Sequence, residues 1–153
     1  MNISGYYIYN NVAITAFSVL AMLRLSSKIP LSKVALLMPI LLDDNIVGKM
    51  TNQRPTSFDS VITQNKVYLS NFNNRYDDLL PQVVNAISIL LDLNLVSLYG
   101  EYVISENAEK YESILSKCDS NRLKNICAVS SKLLKLVKDS DIVNDYRKLN
   151  IEL

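Results

Sequence analysis

Histidine is absent from this sequence, so proton transfer near neutral pH would fall to a carboxylate, lysine or cysteine with a displaced pKa. The same absence leaves Cys118 and Cys127, nine residues apart, without companions for a metal site. That spacing gives no argument for a disulfide, and a reduced, cytoplasmic protein is expected. Glycine occurs only at positions 5, 48 and 100, which excludes a phosphate-cradling loop and assigns any nucleotide hydrolysis to another chain. No serine sits in a Gly-x-Ser-x-Gly elbow. The acidic doublets Asp43-Asp44 and Asp77-Asp78 both precede expected helices. Neighbouring side chains on a chain point apart, so these pairs read as caps and not as facing catalytic carboxylates. No cofactor and no enzymatic activity of this chain alone are expected.

Long hydrophobic runs are missing too. The stretch from Val12 to Leu23 contains Thr15 and Ser18 and stops at Arg24, short of the roughly 20 apolar residues a membrane span requires. No basic residue precedes the first apolar run, so neither a membrane segment nor a signal peptide is expected.

What is present reads as a soluble helical domain. The 153 residues are 49% apolar and 20% charged, which is enough for one domain over residues 1–153, with 140–153 as a C-terminal tail. Net charge is +1, yet six basic residues face one acid between Lys117 and Lys138, leaving the rest of the chain acidic.

Helix signals recur along the chain. Asn10 or Asn11 can cap a first helix reaching Leu25, and Ser26 to Pro30 breaks it. Leu31–Leu42 is apolar nearly all round, with a kink or break expected before Ile40 because Pro39 removes a ladder bond. A short element follows from Asp43 to Met50, then helices from Phe58 to Gln64, capped by Ser57, and from Lys66 to Tyr76. Leu80, Val83, Val84, Ile87, Leu90 and Leu91 recur at threes and fours, which predicts a helix from Leu79, opened by Asp77 or Asp78 with Pro81 in its first turn. Asn94 ends it in the left-handed cap conformation. Strands Leu95–Leu98 and Tyr102–Ser105 then turn at Gly100. A helix running straight into a small two-stranded hairpin is a winged-helix signature, so a mainly α, winged-helix-like helical bundle is expected. Further helices are predicted from Glu106 to Leu115 and, capped by Ser120, from Asn121 to Lys138.

Four stretches carry a family resemblance: Asn10-Asn-Val-Ala-Ile-Thr-Ala-Phe, Leu37-Met-Pro-Ile-Leu-Leu42, Asn71-Phe-Asn-Asn-Arg-Tyr-Asp-Asp-Leu-Leu-Pro81 and Ala86-Ile-Ser-Ile-Leu-Leu-Asp-Leu-Asn-Leu-Val96. In this order the chain resembles the middle component of bacterial three-component ABC systems, which are similar to Lamassu-type antiphage defence. Asn11 stands where the family usually has Pro, and Asp43 where His is common. The resemblance implies a non-enzymatic accessory subunit beside an SMC-like or Rad50-like ABC ATPase and a separate effector such as a nuclease. DNA would be reached through the complex, and pairing of two copies stays open.

Two sets of residues are candidates for contact. Tyr68, Phe72, Arg75 and Tyr76 are types enriched at interface hot spots, although the same rings would serve equally as core. Lys124, Lys132, Lys135 and Lys138 form a basic flank on the last long helix. It is the better candidate for nucleic-acid contact or else a solvated face. The alternative to an adaptor is a DNA-binding winged-helix transcriptional regulator, whose helix would lie in the major groove. Against it, no Arg or Lys occurs between Leu79 and Leu93, and Glu101 sits at the turn of the wing.

Overall fold

Buried apolar side chains surround the second half of the first helix, α1 (Ile3–Leu25), because Val19, Leu20, Met22 and Leu23 together cover most of its circumference. The computed structural model describes the backbone of residues 3–152 and the side chains from residue 12 to residue 152. Ser18 is tolerated within this apolar run because its hydroxyl donates to the Ile14 carbonyl one turn back, at 2.8 Å. The backbone is already helical through Asn10 and Asn11, so neither is an N-cap; their side chains lie outside the described ones.

The Ser26 to Pro30 stretch does more than end α1. Lys28–Pro30 forms β1, which joins the expected hairpin of β2 (Val96–Tyr99) and β3 (Tyr102–Ser105) as a third strand, giving an antiparallel sheet in the order β1-β3-β2. Pro30 fits because β1 is an edge strand, where a missing N–H breaks no inner ladder. Bonds from Ser105 N to Ser27 O and from Leu31 N to Glu101 O, both 2.8 Å, extend the pairing past its ends. Ile29 and Val103 face each other across β1 and β3 and point into the core.

Pro39 does not break α2 (Leu31–Leu41), which continues through it. The helix ends within a turn, so only the one bond is forfeited. After α3 (Asp44–Met50) and α4 (Phe58–Gln64), residues 65–71 form turns and α5 runs unbroken over Phe72–Asp92. The separate helix expected from Lys66 to Tyr76 is therefore absent, Asp77 and Asp78 cap nothing, and Pro81 is interior. Asp77 and Pro81 are both exposed, so the missing ladder bond lies on the solvent side of α5.

Caps fall where local chemistry demands. Asp43 accepts from Asn45 N and Ile46 N at 2.9 and 3.1 Å, and Ser57 and Ser60 form a reciprocal capping box at α4. Asn94 takes φ 55°, with Leu95 N reaching Leu90 O at 2.9 Å and Asn94 N reaching Leu91 O at 3.0 Å, a Schellman closure. Asn107 takes φ 54°, which delays α6 to Ala108–Ser116. Ser120 caps α7 (Asn121–Val137) as expected. The tail folds back as α8 (Ile142–Lys148), placing Tyr146 and Leu149 in the core.

The order α1-β1-α2, then α5 leading into β2 and β3, is winged-helix-like, with α3 and α4 inserted between α2 and α5 and α6 to α8 appended. α1 and α5 pack together, and α7 lies along α1. Among the described residues no helix is long and apolar enough to cross a membrane.

Substituting Asn94→Val forces a β-branched residue into left-handed backbone and should cost about 1–2 kcal/mol, whereas Asn94→Gly should be neutral or stabilising. Urea unfolding followed by circular dichroism would check both, and equal stability of the two variants would contradict the reading.

Candidate interaction surfaces

Two rings of the aromatic segment, Phe72 and Tyr76, belong to the core. Phe72 and Tyr76 are 2% and 6% exposed, and the Tyr76 ring meets Tyr146 edge-on with centroids 5.7 Å apart. The Tyr146 hydroxyl donates to Ser32 O at 2.8 Å, so the proton of the 3.0 Å contact between the two phenols comes from Tyr76. Tyr68 is half-buried, with Lys49 Nζ 5.4 Å from its ring centre. Arg75 links three elements: its guanidinium donates to Pro39 O and to Tyr68 O, and Nη1 pairs with Asp43 Oδ2 at 3.0 Å. The Pro39 carbonyl needs this partner because Asp43 N bonds Ile40 O instead. The partner surface expected from these residues is thus corrected: the rings of Phe72 and Tyr76 are in the core, and Arg75 holds α5 against the end of α2.

The basic flank divides likewise. Lys124, Lys135 and Lys138 are exposed. Lys132 instead donates to Met50 O, Thr51 O and Gln53 O at 2.7, 2.9 and 2.9 Å, closing the carboxyl end of α3. An ammonium has three protons, so none of Lys132's is left for a phosphate. Arg122 pairs with Asp44 at 2.8 Å. Lys33, on a helix that reads as apolar nearly all round, is 6% exposed and does the same at α7, donating to Val137 O and, at 3.0 Å, to Lys138 O and Ser140 O. No sequence signal marks Lys33 as a capping residue.

A third surface was not singled out by sequence. At the carboxyl end of α5, Ile89 and Leu93 project to solvent one turn apart, and Leu93 is 55% exposed. Leu98 and Tyr99, the latter 75% exposed, end the strand that follows. The helix has no cation from Leu79 to Leu93, and β2, like β1, is an edge strand of the sheet. Leu98 and Tyr99 are successive strand residues and face opposite sides of the sheet, and only exposure after folding marks these four residues.

Among the described residues no group of His, Cys, Asp and Glu side chains could hold a metal ion. Both cysteines are free, and burial pushes the Cys127 thiol above its ordinary pKa, lowering its thiolate fraction. The phenols of Tyr111 and Tyr146 are likewise raised, first by burial; Tyr111 donates to Leu95 O, and Tyr146 is raised further by Tyr76 beside it.

The sequence profile of one family, described as ABC-three component (ABC-3C) system Middle Component 3, matches residues 11–153. No curated protein and no solved structure gives a significant match.

Two outcomes follow from these contacts. Lys132→Met keeps the packing of the stem but leaves the α3 carbonyls without their cation, and should cost about 1–3 kcal/mol in urea unfolding; an unchanged midpoint would mean that water replaces the ammonium freely. Because folding raises the Tyr146 pKa, the unfolded chain ionises first. Its contribution is complete below about pH 10 and is lost as pH rises through the higher folded value. Unfolding midpoints should therefore fall above about pH 10, and less steeply in Tyr146→Phe.

Proposed function

Since the chain belongs to the ABC-three component system Middle Component 3 family, and so is one component of a multi-component system with partner subunits, we propose that it is a non-enzymatic adaptor. In this reading it joins an SMC-like ABC ATPase to a separate effector such as a nuclease, in the cytoplasm, as part of a Lamassu-like antiphage defence complex. The lack of histidine and of a glycine-rich phosphate loop in the sequence supports a role without chemistry of its own.

The observation that carries the reading is the character of the α5 and wing surface. In a winged-helix DNA reader this surface meets the major groove and the phosphates, and cations supply most of the affinity. Here it offers Ile89, Leu93, Leu98 and Tyr99 to solvent, without Arg or Lys on α5 beyond Leu79 and with Glu101 at the turn. Exposed apolar and aromatic groups gain by burial against another protein and nothing by approaching phosphate. The regulator reading therefore has the weaker support.

Co-expression with the ATPase of its system tests this. The wild-type chain should co-purify, and Leu93→Gln with Tyr99→Gln should reduce recovery by roughly tenfold, the loss typical of a small hot spot, with unchanged circular dichroism. Failure of the wild-type chain to associate, together with tight salt-sensitive binding to duplex DNA, would replace the adaptor with the regulator.

A further inference from the structure

The shallow furrow where α7 lies along the last turns of α1 has a floor and a rim of opposite character. It consists of two adjoining depressions, of about 340 and 220 Å³, with Leu25 and Ser131 lining both. Ala21, Leu25, Ala128 and Ser131 make a floor of small and apolar groups, and Leu25 is 48% exposed. Lys135 and Lys138 stand at the far end, both exposed, and neither makes an ion pair among the described residues. No carboxylate lines either half. Arg24, at the near end, is already paired with Glu112 at 2.9 Å.

From this we infer that the α1/α7 furrow is a docking site for a short amphipathic helix of a partner subunit that carries small apolar residues on one face and Asp or Glu beside them. The inference rests on the adaptor reading and names one contact through which it works. From Ala128 to Lys138 the furrow follows α7 for about 15 Å, three turns at 1.5 Å per residue, which sets the length of the occupant. Small residues on the floor allow close approach of a second helix, and exposed Leu25 supplies the apolar contact. Charge complementarity sets the rest: two ammonium groups without an ion pair among the described residues line the furrow and no carboxylate does, Asp139 lying outside the lining, so a carboxylate-bearing flank is favoured. The carboxyl end of α7 would ordinarily oppose this with its partial negative charge. Lys33 offsets that partial charge by binding the carbonyls of Val137, Lys138 and Ser140, so the helix end itself subtracts little from the field of Lys135 and Lys138. Duplex DNA is the poorer occupant: two cations over an apolar floor supply too few phosphate contacts.

Photocrosslinking in the co-expressed complex tests this directly. With p-benzoylphenylalanine replacing exposed Ala128, irradiation should link the chain to a helical segment of another component that contains acidic residues, identified by mass spectrometry. The double variant Lys135→Glu with Lys138→Glu should weaken assembly at least about tenfold and flatten its salt dependence, while Lys124→Glu, on α7 but outside the furrow, should leave it unchanged. A crosslink to added 30-base-pair duplex DNA, a crosslink to a segment without acidic residues, or an intact complex indifferent to the double reversal each overturns the inference and leaves the adaptor reading standing. Absence of any complex with the wild-type chain removes both.

Discussion

Every helix ends in carbonyls that its own ladder cannot satisfy, and the way this chain meets that requirement shapes the rest of its structure. Glycine, the usual residue for turning a helix end back on itself, occurs only three times in the sequence. Two solutions replace it. Asn94 and Asn150 adopt left-handed backbone and close α5 and α8 locally. Elsewhere a long basic side chain arrives from a distant element: Arg75 at α2, Lys132 at α3 and Lys33 at α7. Each such contact fastens two helices together while it satisfies carbonyls, so capping and tertiary packing become one interaction.

Electrostatic character follows from this use of cations. The segment from Lys117 to Lys138 has a marked basic surplus in the sequence, but Arg122 faces Asp44 and Lys132 is engaged with carbonyls. What reaches solvent on α7 is Lys124 and, at the far end, Lys135 and Lys138. A surface with so few unengaged cations is poorly suited to a polyanion and well suited to a partner with a few carboxylates. The exposed apolar groups at the wing and the furrow between α1 and α7 lie on different elements of one helical frame.

Much of the fold could be read along the chain, and the misreadings share a cause. Ser57, Asp43, Ser120 and Asn94 act on amides or carbonyls within one turn, and each was legible as a cap. The Asp77-Asp78 to Pro81 pattern has the local form of a helix start, yet α5 begins at Phe72 because the Arg75 contacts and the buried Phe72 and Tyr76 rings extend the helix backwards. β1 has three residues including a proline and no alternation to detect, so only its pairing with β3 defines it. Among the candidate contact residues, a tyrosine at helical spacing looks the same whether it faces core or solvent. A lysine on a helix flank looks the same whether it is hydrated or bound to carbonyls far along the chain.

The sequence by itself determined the helical character, the caps at Asp43, Ser57, Asn94 and Ser120 and the wing after Asn94, because each depends on residue chemistry or on bonds spanning a turn or less. Tertiary structure alone decided which aromatics are buried, which cations are consumed at helix ends and which apolar groups remain uncovered. Those outcomes depend on which elements become neighbours in space, and no local hydrogen bond or periodicity encodes that.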